Sequence, residues 1–117
     1  EIGVRLVGSE MCIRDSYEDF LEKNPGAKVY MATTKSKQTY TDVHYEEDCY
    51  IMFGKESAGI PEEILLENKE TCVRIPMLDH IRSLNLSNSV AIVLYEALRQ
   101  NGFSHFQMEG QLHHYEW

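Results

Sequence analysis

The sequence predicts an α/β fold built on a parallel sheet, and three patterns in it carry that expectation. Strand-like runs at residues 28–33, 49–53 and 71–75 alternate with helical stretches, the order in which strands and crossover helices build a layered domain. The run Cys49-Tyr50-Ile51-Met52-Phe53 is continuously apolar and stops at Gly54, as a strand covered on both faces does. Leu86, Val90, Val93, Leu94, Ala97 and Leu98 fall on one stripe of a final helix.

Taken in order, residues 1–16 have no clear period. The run Val7-Gly8-Ser9-Glu10-Met11-Cys12-Ile13-Arg14-Asp15-Ser16 resembles a translated adaptor or assembly scar, and it is set aside from the fold, against the alternative of a native strand and turn. Ser16 then caps a short helix through Lys23, with Glu18 and Asp19 near its positive end and Pro25-Gly26 stopping it. Lys28 to Thr33 reads as a strand, and Thr34 to Glu47 as a polar loop with a turn near Thr41-Asp42. After the 49–53 strand, the loop Gly54 to Ile60 leads into Pro61-Glu62-Glu63. There proline takes a first helical position and the acids meet the amino-terminal dipole of a helix reaching about Asn68. Thr71 to Ile75 is a further strand closed by Pro76, and Met77 to Asn85 a second strand-end loop. On the last helix Asn88, Tyr95, Arg99 and Gln100 lie away from the apolar stripe, Gly102 ends it, and a polar tail runs from Ser104 to Trp117.

With 117 residues, 43% apolar and 26% charged, the chain is sized for one modest core, and association with a second copy is a reasonable expectation. Eleven basic against nineteen acidic residues give −8, which argues against a simple electrostatic footprint for nucleic acid. Cys12, Cys49 and Cys72 show no C-x-x-C spacing, so neither a disulfide framework nor a zinc knuckle is suggested, and a reducing cytosol fits. No apolar stretch reaches the roughly 18 residues that would cross a bilayer.

Several chemistries can be set aside. Gly54-Lys55-Glu56-Ser57 lacks the preceding glycine of a phosphate loop, and Glu56 interrupts its triplet; G-x-G-x-x-G is absent. Ser57 fails the nucleophile-elbow pattern for want of the earlier glycine. His44, His80, His105, His113 and His114 are scattered without helical pairing, which reads as surface histidine rather than metal site. What remains is two strand-end loops, one with Gly54 and Gly59, the other with Pro76, Ser83, Asn85 and Asn88. Such loops present main-chain groups to the edge of a purine, apolar walls such as Ile75 and Leu84 to its faces, and glycines that allow close approach. Two ordinary α/β turns would look similar.

Phe53-Gly54-Lys55-Glu56-Ser57-Ala58-Gly59-Ile60-Pro61, then Arg74-Ile75-Pro76-Met77, then Ser83-Leu84-Asn85-Leu86-Ser87-Asn88-Ser89-Val90-Ala91 running into Leu94-Tyr95-Glu96-Ala97, resemble the second and third motifs of the SPOUT RNA 2′-O-methyltransferases. Their TrmL-like branch, which modifies the wobble nucleotide of certain leucine tRNAs, is the nearest match. The resemblance covers roughly Tyr17 to Phe103, including Tyr30-Met31-Ala32-Thr33-Thr34-Lys35. It implies a parallel sheet with a carboxyl-terminal trefoil knot, an exception to the rule against threading, and a homodimer in the cytoplasm acting on tRNA, with no membrane and no metal. It also implies an S-adenosylmethionine pocket using Ala32, Gly54, Ile75 and Ser83, with Leu84 and Asn85 completing the knotted loop. Glu56 and Gly59 belong to the second-motif loop, the carboxylate tying neighbouring loops; Asn88 and Tyr95 lie near RNA or the partner subunit. The plainer roles are capping of the last helix by Ser83 and Asn85 and packing by Tyr95.

The resemblance departs upstream. Members begin with a strand, an Asn- and Gly-containing loop and a helix whose arginine helps activate the ribose hydroxyl, and nothing before Tyr17 matches; Arg5 and Arg14 lie in the suspected scar. The expected organisation is therefore a non-native segment at 1–16, the carboxyl-terminal portion of a methyltransferase domain at 17–103, and a tail at 104–117, with the catalytic arginine missing. Lys35, Lys37, Lys55, Arg74, Arg82 and Arg99 are expected to cluster beside the loops and meet tRNA phosphates. The rival expectations are a noncatalytic module that binds cofactor or dimerises, and a chain that does not fold cooperatively.

Overall fold

The computed structural model describes residues 3–6, 10–54, 59–81 and 84–117, and side chains from Ser16 onward. Four strands, β1 (Gly3–Leu6), β2 (Lys28–Ala32), β3 (Cys49–Phe53) and β4 (Cys72–Val73), form one parallel sheet in the order β1-β3-β2-β4. Among the described residues three α-helices accompany them: α1 (Glu10–Lys23), α2 (Glu62–Glu67) and α3 (Leu86–Gln100).

Period-2 alternation in strands that are apolar on both sides dictates two cores. Val29 and Met31 of β2, Met52 of β3 and Cys72 of β4 point to one face, where Tyr17 and Phe20 of α1 and Ile64 and Leu65 of α2 cover them. The ring of Phe20 stands edge-on to Tyr50 at 4.8 Å, and the Tyr17 hydroxyl donates to Asn68 Oδ1 at 3.2 Å, tying α1 to the end of α2. Tyr30, Cys49, Ile51 and Phe53 point the other way and are buried by Val93 and Ala97 of α3 and by Tyr45. The connection from β1 to β2 passes over β3 and that from β3 to β4 passes over β2, both in the same direction, so crossovers of one hand put α1 and α2 on the same face. The step from β2 back to β3 reverses direction, and its loop, with Tyr40, Val43 and Tyr45, accordingly lies on the α3 face.

Several expectations are corrected. Two segments before Ser16 take part in the fold: Gly3–Leu6 pairs with Tyr50–Phe53, and α1 starts at Glu10, where Glu10, Met11 and Arg14 are good helix formers. Ser16 is therefore interior to α1, and Glu18 and Asp19 sit mid-helix, where Asp19 pairs with Lys23 at 3.0 Å instead of meeting the dipole. Pro61 occupies the N-cap of α2, with Glu62 and Glu63 in its first turn. The strand expected over 71–75 shrinks to Cys72–Val73, because Thr71 ends a 3-10 turn (Lys69–Thr71) and its hydroxyl bonds back to the Asn68 carbonyl at 3.1 Å. Gln100 is not turned away; it bonds inward to the 43–45 loop.

The ends of α3 read as expected. The Asn85 side chain accepts from Ser87 N–H at 2.8 Å. At the other end Gly102, at φ +79°, lets its own N–H reach Arg99 O (3.0 Å) and the Phe103 N–H reach Leu98 O (2.9 Å), a Schellman closure. Residues 104–117 form no helix or strand, but the Phe106 ring lies 6.2 Å from Tyr95 and 5.9 Å from Phe103.

Candidate functional site

In a parallel sheet every strand delivers its following loop to one end. Ala32 at the end of β2, Phe53-Gly54 at the end of β3 and Arg74-Ile75 just beyond β4 therefore share the carboxyl edge. With β2 between β3 and β4, Gly54 and Ile75 flank Ala32 across about 10 Å, two strand spacings, the breadth of a nucleoside. On the α3 face of this edge Ala32, Ile75, Leu86 and Val90 all pack against the cluster that contains Phe53, making an apolar floor. Leu84 is half-buried. Ser83 and Glu56 lie outside the described residues.

Gly54 and Gly59 form a neck. A Cβ on Gly54 would collide with the backbone of Gly59, coming 2.6 Å from its Cα, and would stand 2.6 Å from Ile60 N. Gly59 itself sits at φ +70°, where side chains other than glycine's are strained. Glycine is thus needed at both positions for different reasons, close approach at the first and backbone sign at the second.

The segment after β2 is stitched along β4. Thr33 N–H donates to Val73 O (2.9 Å), Arg74 N–H to Gln38 O (3.0 Å) and Tyr40 N–H to Arg74 O (2.8 Å), giving a parallel bridge between Thr39 and Arg74. Side chains add to it: Ser36 Oγ donates to Cys72 O at 2.7 Å, Gln38 Nε2 donates to Glu70 O and Cys72 O at 2.8 and 2.9 Å, and Arg74 Nη1 donates to Thr34 O at 3.1 Å. Between this segment and α2 lies a groove of about 640 Å³ lined by Lys35, Lys37 and Lys69, by Glu62 and Glu70, and by Leu65 and Leu66. Sequence reading missed Ser36 and Gln38, whereas Leu86 and Val90 turn inward as their place on the apolar stripe predicts. A polar loop holds no period that would announce a strand-like pairing.

Of the expected basic cluster, Lys35 and Lys37 line this groove, with Lys35 bound to Glu62 at 2.9 Å, while Arg74 meets the same segment at Thr34 O. Arg99 does not join them. It lies thirteen residues along α3 from Leu86, about 20 Å by helical rise, and clasps Glu96 (Nε–Oε1 2.9 Å). Lys55 and Arg82 lie outside the described residues. Asn88 is exposed in the first turn of α3, and Tyr95, 53% exposed, lies farther along with Phe103 and Phe106 beside it.

The far end of α3 is a different environment. Gln100 Nε2 donates to Val43 O (3.0 Å) and Glu96 Oε2 (2.8 Å), Tyr45 N–H donates to Gln100 Oε1 (2.9 Å), and Asn101 Nδ2 donates to Tyr45 O (3.2 Å). The Arg99 and Gln100 hydrogen bonds hold the buried Glu96 carboxyl below the ordinary carboxylate range, against the opposing effect of burial. Burial pushes the Tyr45 hydroxyl far upward and the Cys49 thiol to about 11, and it raises the Cys72 thiol. These two thiols are protonated packing groups on opposite faces of the sheet. Among the described residues no group of His, Cys, Asp and Glu could hold a metal ion.

Residues 6–95 match the SpoU rRNA Methylase family. A Listeria monocytogenes protein provisionally named a tRNA (cytidine(34)-2′-O)-methyltransferase is 50% identical over 92 residues, 76% of this chain and 54% of that protein. The Escherichia coli K12 tRNA (cytidine(34)-2′-O)-methyltransferase is 42% identical over 88 residues, 74% of this chain and 56% of its own length. The chain thus spans a little over half the length of these curated relatives. Among solved structures, a Bacillus anthracis protein provisionally described as an RNA methyltransferase superposes with a TM-score of 0.74 at 42% identity, covering 81% of this chain and 62% of that one. A structure concerned with 2-OH methylation of C/U34 on tRNA gives 0.67 at 39%, covering 74% and 57%. An AdoMet-bound rRNA methyltransferase from Sinorhizobium meliloti gives 0.60 at 30%, covering 70% and 32%.

Proposed function

The chain belongs to the SpoU rRNA methylase family, and from that premise we propose that it serves the transfer of a methyl group from S-adenosylmethionine to the ribose 2′-hydroxyl of the wobble nucleotide of tRNA, leucine tRNAs foremost. The observation that carries this reading is the convergence of Ala32, the Gly54–Gly59 neck and Ile75 at one sheet end over an apolar floor. The residues present suit an adenosyl group. Main-chain groups at Gly54 and after β4 can meet the base edge, and Ile75 and Leu86 supply apolar walls.

When bound, S-adenosylmethionine supplies the electrophilic methyl sulfonium. The chain's part is alignment: the Gly54–Gly59 neck closes the end of β3, while Ala32 and Ile75 set the spacing across the sheet, and these groups would hold the cofactor in place for the ribose hydroxyl. Ser83, Leu84 and Asn85 would complete the pocket wall, Glu56 would tie the loops, and Asn88 and Tyr95 offer exposed polar and aromatic contacts to RNA or to a partner subunit. We read residues 17–103 as the body of the domain, with its carboxyl-terminal part threaded as a trefoil knot, and the working form as a cytoplasmic homodimer without metal. Family membership supports both the knot and the dimer. Relatives named for the cytidine-34 reaction support the substrate.

The test is titration calorimetry with S-adenosylhomocysteine together with a methyl-transfer assay on leucine tRNA. Binding with transfer would support the whole reading, binding without transfer would support the rival noncatalytic cofactor-binding module, and no binding would overturn the site.

A further inference from the structure

We propose that Arg74 is a positioning residue for the adenosyl site, its guanidinium holding the turn that follows Ala32 at a fixed distance from Ile75. This rests on the cofactor reading above and goes beyond it by assigning a role to a side chain outside the pocket floor. Arg74 bonds the 33–40 segment in three ways: its N–H donates to Gln38 O, its carbonyl accepts from Tyr40 N–H, and Nη1 donates to Thr34 O at 3.1 Å. The first two bonds belong to the main chain and survive any substitution. They also act at Gln38 and Tyr40, downstream in the segment, where Ser36 and the Gln38 amide already anchor it to Cys72 O. Of the three Arg74 bonds, the one from the guanidinium alone reaches the turn beside the pocket. That turn is otherwise tied to β4 by Thr33 N–H on Val73 O, to α2 by the exposed Lys35–Glu62 pair at 2.9 Å, and internally by Lys35 N–H on Thr33 Oγ1 at 3.2 Å.

The geometry spans the site. Thr34 is two residues past Ala32 on the central strand, and Arg74 immediately precedes Ile75 just beyond the edge strand β4, so one side chain couples the middle of the site at Ala32 to the Ile75 side of it. Because the guanidinium lies at the surface and not in either core, its removal loosens the ligand-facing turn without emptying a packed volume. Losing one hydrogen bond of this kind corresponds to roughly a three- to tenfold change in an equilibrium constant.

The experiment compares wild type, Arg74→Met and Arg74→Lys by calorimetry with S-adenosylhomocysteine and by thermal melting; where methyl transfer is measurable, KM for S-adenosylmethionine is separated from kcat. Expected are a roughly three- to tenfold weaker affinity in Arg74→Met, an almost unchanged melting temperature, KM rising more than kcat falls, and partial recovery in Arg74→Lys, which keeps a donor. Equal affinity in wild type and Arg74→Met would overturn the proposal while leaving the cofactor reading intact. So would a fall in melting temperature that matches the affinity loss with no rescue by lysine, since it would make Arg74 a fold-holding residue. Failure of the wild type itself to bind the probe would instead sink the cofactor reading.

Discussion

The two ends of α3 are closed by different means. At its start the chain relies on main-chain geometry: a glycine neck with no side chains in it, an Asn85 cap, and an apolar floor under half-buried Ile75, Leu86 and Val90. At its finish nearly every polar group is committed to another, with Gln100 and Asn101 pinning the 43–45 backbone and Glu96 held by Arg99 and Gln100. The first arrangement leaves backbone groups and apolar walls available to a ligand; the second spends its side chains on holding a loop that crosses the sheet without a helix. A site and a clamp sit on one helix because a parallel sheet sends binding loops to one end only.

That contrast can be broken experimentally. The largest effect is expected from Gly54→Val, whose side chain would have to displace the backbone of Gly59 and Ile60; a loss of about 3 kcal/mol by denaturant unfolding and no detectable S-adenosylhomocysteine binding are expected. At the clamp, Gln100→Ala strips partners from Val43 O and Tyr45 N–H and should cost about 1–3 kcal/mol, with affinity for the same ligand unchanged. An affinity loss there would show the two ends to be coupled.

The clamp should also be acid-sensitive. Because the folded state lowers the Glu96 pKa, the folded protein binds that proton less readily than the unfolded chain does. The contribution is therefore complete above the unfolded value of about 4.3 and is lost as pH falls through the folded value. Melting temperature measured downward from about pH 5 should fall more steeply in wild type than in Glu96→Gln, and parallel curves would count against the clamp. The smallest effect belongs to Lys35→Met. Its pair with Glu62 is exposed on both sides, so less than about 1 kcal/mol is expected from equilibrium unfolding, and less still in high salt.

Much of this contrast could be read from residue order. The buried central strand Cys49–Phe53, the apolar stripe through Val93 and Ala97, the Asn85 cap and the Gly102 stop are local patterns, and each lies where its chemistry says it should. Gly54 and Gly59 were legible as turn glycines, but that one must be glycine for contact and the other for φ appears only when the loop closes on itself. Arg99 illustrates the opposite case. It seemed as eligible for the loop cluster as Lys35, yet helical rise carries it to the far end, where Glu96 claims it.

Local order thus determined which segments are strands and helices and which faces are apolar, because periodicity and capping act within a few residues. Three-dimensional assembly decided what no short window contains: that Gly3–Leu6 joins the sheet beside β3, that Ser36, Gln38 and Arg74 stitch one polar loop along β4, and that Gln100 faces inward. Those contacts join groups up to 57 residues apart in the chain, and only the meeting of complementary donors and acceptors across the folded sheet selects them.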